Sequence, residues 1–174
     1  MAGSLLPGDD GRRALRPGGD DGATVDDGDR VHLRRCIELA RTTLDAGDER
    51  FGSVLVDADG SVLFEDHDHV ASGDSTRHPE FAIARWAAQH LPSDQRAAAT
   101  VYTSGEHCPM CAAAHAWVGL GRIVYDSSSA QLGARPAPMQ APSIGGVAPG
   151  VPVEGPVAGL DEEVHDLHRR FHGS

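Results

Sequence analysis

Apolar positions first become periodic at Val31. Val31, Cys36, Ile37, Leu39, Ala40 and Leu44 then recur at helical spacing and predict a helix over about 30–46, with Asp29 as N-cap and Gly47-Asp48 as stop. Two short apolar runs, Phe51–Val56 and Ser61–Glu65, flank Asp57-Ala58-Asp59-Gly60 and read as a β-hairpin around a DG turn. A polar loop, Asp66 to Arg77, follows. Pro79–His90 is helical by pattern, with Phe81, Ile83, Ala84, Trp86 and Ala87 apolar. Ala99–Thr103 predicts a strand, Pro109–Leu120 a helix and Arg122–Asp126 a strand. Residues 127–158, dense in Pro, Gly, Ala and Ser, read as loop. Leu160–Phe171 predicts a closing helix, acidic first and basic last, as the helix dipole favours. The order α-β-β-α-β-α-β-loop-α predicts an α/β domain, a three-layer α-β-α sandwich.

Residues 1–28 lack any such pattern. They hold seven Gly, six Asp and three Arg, a composition that cannot offset the entropy of ordering. The expected organisation is a disordered tail, 1–28, ahead of one folded domain, 29–172. A total of 174 residues, 40% of them hydrophobic, suits one domain with its own core. The longest apolar candidate, Ala112 to Leu120, falls well short of the ~20 residues that span a bilayer. The opening MAGSLLPGDDGRR has no basic region followed by an apolar one, so the expectation is a cytoplasmic protein without signal peptide or membrane segment. Acidic residues number 26 against 15 basic ones, every one of them Arg, for a formal net charge of -11. That balance argues against a large nucleic-acid partner. Three cysteines do not make a disulfide framework here; the close pair Cys108 and Cys111 suits metal or redox chemistry.

Two segments carry the chemistry: His78-Pro79-Glu80 and His107-Cys108-Pro109-Met110-Cys111. Each sits at a predicted helix start, with Pro in the first turn where its missing N–H costs nothing. Two cysteines three apart on one helix start point the same way, and the positive end of the helix favours thiolate. With His78 they form a Cys2His set, the softness and number that suit zinc with an open fourth position. An open position marks a catalytic ion, and Glu80 stands close enough to move protons without ligating it. A closed structural site would need His107 or His115 as a fourth ligand, and neither explains Glu80.

The spacing H-x-E…C-x-x-C is that of zinc deaminases acting on nucleobases. STRHPEFAIARWAA and VYTSGEHCPMCAAAHAWVGLGRIVYDSSSAQL resemble the cytidine deaminase superfamily, closest to its branch of guanine, tRNA adenosine and cytosine deaminases. FGSVLVDADGSVLFE resembles that branch's first hairpin, and the likeness covers about residues 30–130. The resemblance implies a central mixed five-stranded sheet flanked by helices, its fifth strand near Val151–Val153. It also implies one Zn2+ per chain on His78, Cys108 and Cys111, with Glu80 as the proton-transferring residue. The implied reaction is hydrolytic removal of an exocyclic amino group from a free nucleobase, nucleoside or related heterocycle of guanine or cytosine type. Relatives are commonly dimers, which implies a homodimer. A tRNA adenosine deaminase and a non-catalytic zinc-stabilised module are the alternatives. Arg169, Arg170 and Phe171 are similar to the basic end of tRNA deaminases, although a helix C-terminus favours arginines anyway.

The chain also departs from the family. His107 replaces the Pro before the first Cys, and Pro79, which has no N–H, replaces a small residue whose N–H can bond the substrate. Relatives keep an Asn ten or eleven residues before the zinc His; here those positions are Asp68 and His67, and the chain has no Asn. An ionised Asp only accepts hydrogen bonds, so Asp68, with His67 behind it, is the expected group orienting the ring. Asp66, His67, Asp68 and His69 together could suggest a second metal, but, Asp68 apart, they read as an exposed polar loop. His115 reads as a satisfied core histidine, Cys36 as a buried small hydrophobe, and Trp86, Trp117 and Tyr125 as core or interface residues.

Overall fold

The computed structural model describes residues 25–43, 48–132 and 142–172, with side chains through residue 169. The expected tail therefore falls, over 1–24, outside the described residues, as do the end of the first helix and the side chains of Arg170 and Phe171. Among the described residues, six α-helices and five strands run in the order α1 (Asp27–Thr42), β1 (Gly52–Val56), β2 (Val62–His67), α2 (Pro79–His90), α3 (Ser93–Ala98), β3 (Thr100–Gly105), α4 (Pro109–Val118), β4 (Arg122–Ser127), α5 (Ile144–Val147), β5 (Val153–Glu154) and α6 (Asp161–His172).

The strands form one mixed sheet in the order β2-β1-β3-β4-β5. β1 is antiparallel to β2 and β3, while β3, β4 and β5 are parallel. Alternation along the strands fills two faces. Val54, Val56, Tyr102 and Val124 face α1 and α6, packing with Leu33, Ile37, Val164 and Leu167. Leu55 and Val101 face the other way, onto Ile83, Ala84 and Ala87 of α2. Ile123 meets Ala112 of α4 and Ile144 of α5 on that second face. The three-layer α-β-α sandwich of the sequence reading is thus the fold, and Val153 opens the fifth strand where the family resemblance placed it. Gly52 lets the layers close: a Cβ there would sit 2.3 Å from the carbonyl oxygen of Cys36 in α1.

Several elements differ from expectation. α1 begins at Asp27, and its N-cap is Asp26, not Asp29. Asp29 occupies N3 and completes a reciprocal capping box, its carboxylate accepting from the Asp26 N–H at 3.0 Å while its own N–H donates to Asp26 at 2.8 Å. Val25 packs on the core. The domain therefore starts before residue 29. The stretch read as loop contains α5 and β5, and α3 was not foreseen between His90 and Ala99.

Asp29 also receives the Tyr102 hydroxyl at 2.7 Å and both Arg122 guanidinium nitrogens at 2.7 and 2.9 Å. Burial pushes its carboxyl up, but the bonds from Arg122, Tyr102 and the Asp26 backbone outweigh it and hold the group down at about 2. Arg122 reaches Glu154 as well, tying α1, β4 and β5 together. Among the described residues no helix is long and apolar enough to cross a membrane.

Candidate metal centre and active site

His78 and Cys108 are the N-caps of α2 and α4, each in extended conformation and each followed by Pro at the first helical position. Both helices lie on the same sheet face, so their starts converge. The Cys108 Sγ lies 3.6 Å and the Cys111 Sγ 3.7 Å from His78 Nδ1. Ligand atoms of all three residues lie within 4.8 Å of one another. A tetrahedral ion with bonds of about 2.3 Å to sulfur and about 2.05 Å to nitrogen sets an S–N edge of about 3.6 Å, so the observed spacing fits zinc. Neither His107 nor His115 joins the group. His115 is buried and its Nε2–H donates to the Gly121 carbonyl at 2.9 Å, as expected of a core histidine.

The protonation of the cluster shows what a cation would replace. The Cys108 thiol is drawn down to about 4, chiefly by hydrogen bonding from Cys111, against burial and with further help from His78. Cys111 is pushed far up by Cys108, by burial and by Glu80. Hydrogen bonding to Cys108 raises His78 to about 9 against the effect of burial. Cys108 is thus the donor most readily deprotonated, and metal binding on these atoms is coupled to proton release.

Glu80 lies at the second position of α2 and is 6% exposed. Its Oε1 is 2.8 Å from Thr103 Oγ1 and 3.1 Å from Ser53 Oγ, and the two hydroxyls are 3.0 Å apart. Thr103 and Ser53 are register partners on β3 and β1, so the sheet itself fixes the carboxylate. Ser53 and Thr103 were not singled out from the sequence. Their one signal is a small hydroxyl among the buried positions of a strand.

Asp68 is fully buried, which removes it from the surface. Its Oδ1 accepts from Val70 N–H at 3.0 Å, and its buried Oδ2 has no partner among the described residues. Burial raises its carboxyl to about 6 despite the Val70 bond and the nearby His78 charge, with Glu49 and Glu80 adding to the rise. His67 is half-buried beside it, its Nδ1–H donating to the Asp68 carbonyl at 3.0 Å. Asp66 and His69 are half-buried too, so the segment is not the exposed loop of the sequence reading. Backbone bonds such as His69 N–H to the Arg77 carbonyl fold it against the start of α2.

His107, which stands where the family has Pro, is buried, and neither ring nitrogen has a hydrogen-bond partner among the described residues. Burial, with the neighbouring His115, lowers it to about 3. Cys36 is buried as expected, and Trp86 stacks on Phe64. Trp117 is 93% exposed and belongs to no core.

Residues 27–127 match the cytidine and deoxycytidylate deaminase zinc-binding region. A probable cytosine deaminase of Schizosaccharomyces pombe is 30% identical over 60% of this chain and 63% of its own. A guanine deaminase of Bacillus subtilis is 36% identical over 53% of this chain and 60% of its own. The match thus spans about three-fifths of the length of these curated relatives. In fold, the chain is similar to a solved guanine deaminase of Nitrosomonas europaea, with a TM-score of 0.69 over 87% of both chains at 21% identity. With its His and Cys donors converging on two helix starts and a matching region that covers most of the sheet, the chain belongs to the cytidine and deoxycytidylate deaminase family.

Proposed function

We propose that the chain is a zinc-dependent hydrolytic deaminase that removes an exocyclic amino group from a free nucleobase, nucleoside or related heterocycle of guanine or cytosine type. The observation that carries this reading is Glu80, held by two strand hydroxyls beside a donor set spaced for a tetrahedral ion. His78, Cys108 and Cys111 would hold one Zn2+ per chain, which supplies Lewis acidity and an acidified water near neutral pH. Glu80 accepts the proton of the attacking water, then delivers protons to the ring nitrogen and to the departing amine. The balance is one water consumed, one carbonyl formed and one ammonia released. Thr103 and Ser53 keep the carboxylate aimed through these transfers. Asp68, with His67 beside it, orients the ring from the loop before α2; Pro79 has no N–H to offer the substrate.

A small substrate is favoured over tRNA because a net charge of -11 works against phosphate binding. The test is ammonia release by zinc-loaded protein across bases, nucleosides, pterins and triazines, with Glu80→Gln as control. Zinc at one per chain with no ammonia from any of them would leave a zinc-stabilised module instead.

A further inference from the structure

β2 ends in an acid and a histidine, and a second histidine follows after one residue. In the fold these three do not splay apart. His69 Nε2 lies 2.9 Å from Asp66 Oδ1, and the His67 and His69 rings are 4.2 Å apart at their centroids. One ligand atom from each of Asp66, His67 and His69 falls within 4.8 Å of the others. The His69 and Asp66 side chains are 33% and 22% exposed, dry enough to favour ligation and open enough for an ion to enter. A cleft of about 240 Å³ opens beside them, lined by Asp66, His69, Asp74 and His78 together with Arg77 and Arg85.

The chemistry of each donor suits a metal. A carbonyl only accepts, so the bond from His67 Nδ1 to the Asp68 carbonyl puts the proton on Nδ1 and leaves the lone pair on Nε2. That arrangement, one ring nitrogen bonded to a carbonyl and the other bare, is how metal-ligating histidines are held. A nitrogen and an oxygen at adjacent octahedral positions, each about 2.1 Å from an ion, stand about 3.0 Å apart. Asp66 and His69 already hold that spacing, with a proton doing the ion's work. Asp66 Oδ1 also accepts from the His67 N–H at 2.9 Å, so the carboxylate is oriented from its own backbone.

We infer that Asp66, His67 and His69 form a second metal site, separate from the Cys2His group, which takes one first-row divalent ion such as Zn2+ on two imidazole nitrogens and a carboxylate oxygen. The remaining positions are filled by water. The ligands flank Asp68, so occupancy braces the backbone on both sides of that buried carboxylate. The inference does not depend on the deaminase reading.

The test is metal stoichiometry by elemental analysis after equilibrium dialysis against buffered free Zn2+. The full chain is compared with Asp66→Asn/His69→Gln, whose amide groups can still hydrogen-bond each other. The expected result is two zinc ions per wild-type chain and one per variant chain, with Tm of the wild type rising further at zinc concentrations that fill the second site. A second variant, His67→Ala, is expected to lose the same ion with the fold intact by circular dichroism. A wild-type chain that holds no more zinc than either variant would overturn the site.

Discussion

Thr103 Oγ1 lies 2.8 Å from Glu80 Oε1, so the central strand of the sheet holds a carboxylate that belongs to a helix start. The hydroxyl donates and the carboxylate accepts, a charge-assisted bond in a buried setting. Thr103→Val keeps the shape and removes the donor. Such a bond contributes ~1.5–3 kcal/mol, so kcat is expected to fall roughly tenfold or more with KM little changed. Ser53→Ala should cost less, since Thr103 still holds Oε1. An equal fall in kcat/KM through KM alone would show that Thr103 shapes binding rather than proton transfer.

Glu80→Gln is expected to keep zinc content and melting temperature and to lose ~10²–10⁴-fold or more in turnover, because one residue serves several proton transfers. Activity within tenfold of wild type would remove Glu80 from the proposed role.

The domain boundary makes a separate prediction. A chain starting at residue 25 keeps Asp26 and Val25, whereas one starting at residue 29 loses the N-cap and the Val25 contact. An N-cap is worth ~0.5–2 kcal/mol, so the shorter chain should melt several degrees lower, with the longer one unchanged. Equal melting temperatures would show that the capping box contributes nothing.

How far each residue was legible follows from how local its signal is. His78, Glu80, Cys108 and Cys111 could be read because donor, proline and helix start are neighbours in sequence. Asp29 was visible only as a cap, because its other partners, Tyr102 and Arg122, stand 73 and 93 residues away. Its role as a hub needs the sheet to exist. Ser53 and Thr103 are small hydroxyls whose function appears only when β1 and β3 pair in register. Asp66, His67 and His69 read as a solvated loop since polarity implies exposure; the backbone bonds that fold the loop against α2 have no counterpart in the pattern. β5 is two residues long and too short for any periodicity.

Asp126 sets a pH dependence of stability. Burial raises its carboxyl to about 7, against a bond from Ser127 and with the nearby Asp161 and Glu163 adding to the rise. The folded chain therefore holds this proton more tightly than the unfolded one, whose Asp titrates near 3.8. Between those values the native state binds more protons, so stability falls as pH rises from about 4 to about 7, by at most ~1.4 kcal/mol per pH unit from this group. Urea unfolding at several pH values should show that decline in the wild type and a flatter profile in Asp126→Asn. Asp68 contributes with the same sign, so part of the slope persists. Identical profiles would mean that Asp126 is solvated or paired in solution.

Under the proposed function, Asp68 is the group expected to decide which ring edge the pocket reads. Its side chain is buried, its Oδ1 is committed to the Val70 N–H, and its Oδ2 has no partner among the described residues. It lies close enough to His78 and Glu80 for their charges to act on it. A carboxylate offers only acceptors, so it favours a ring edge that presents N–H or amino donors and penalises one that presents a bare acceptor. Leaving a buried polar group unpaired costs ~1–3 kcal/mol, roughly ten- to hundredfold in kcat/KM between two such edges. Asp68→Asn adds a donor without changing the size of the group. The expected outcome is a reordering of substrates by kcat/KM of that magnitude, with zinc content unchanged. His67→Gln should move the ranking less, because its Nδ1 is bonded to the Asp68 carbonyl rather than free for a ligand. An unchanged ranking for Asp68→Asn, with all rates preserved, would show that the unpaired oxygen does not read the substrate.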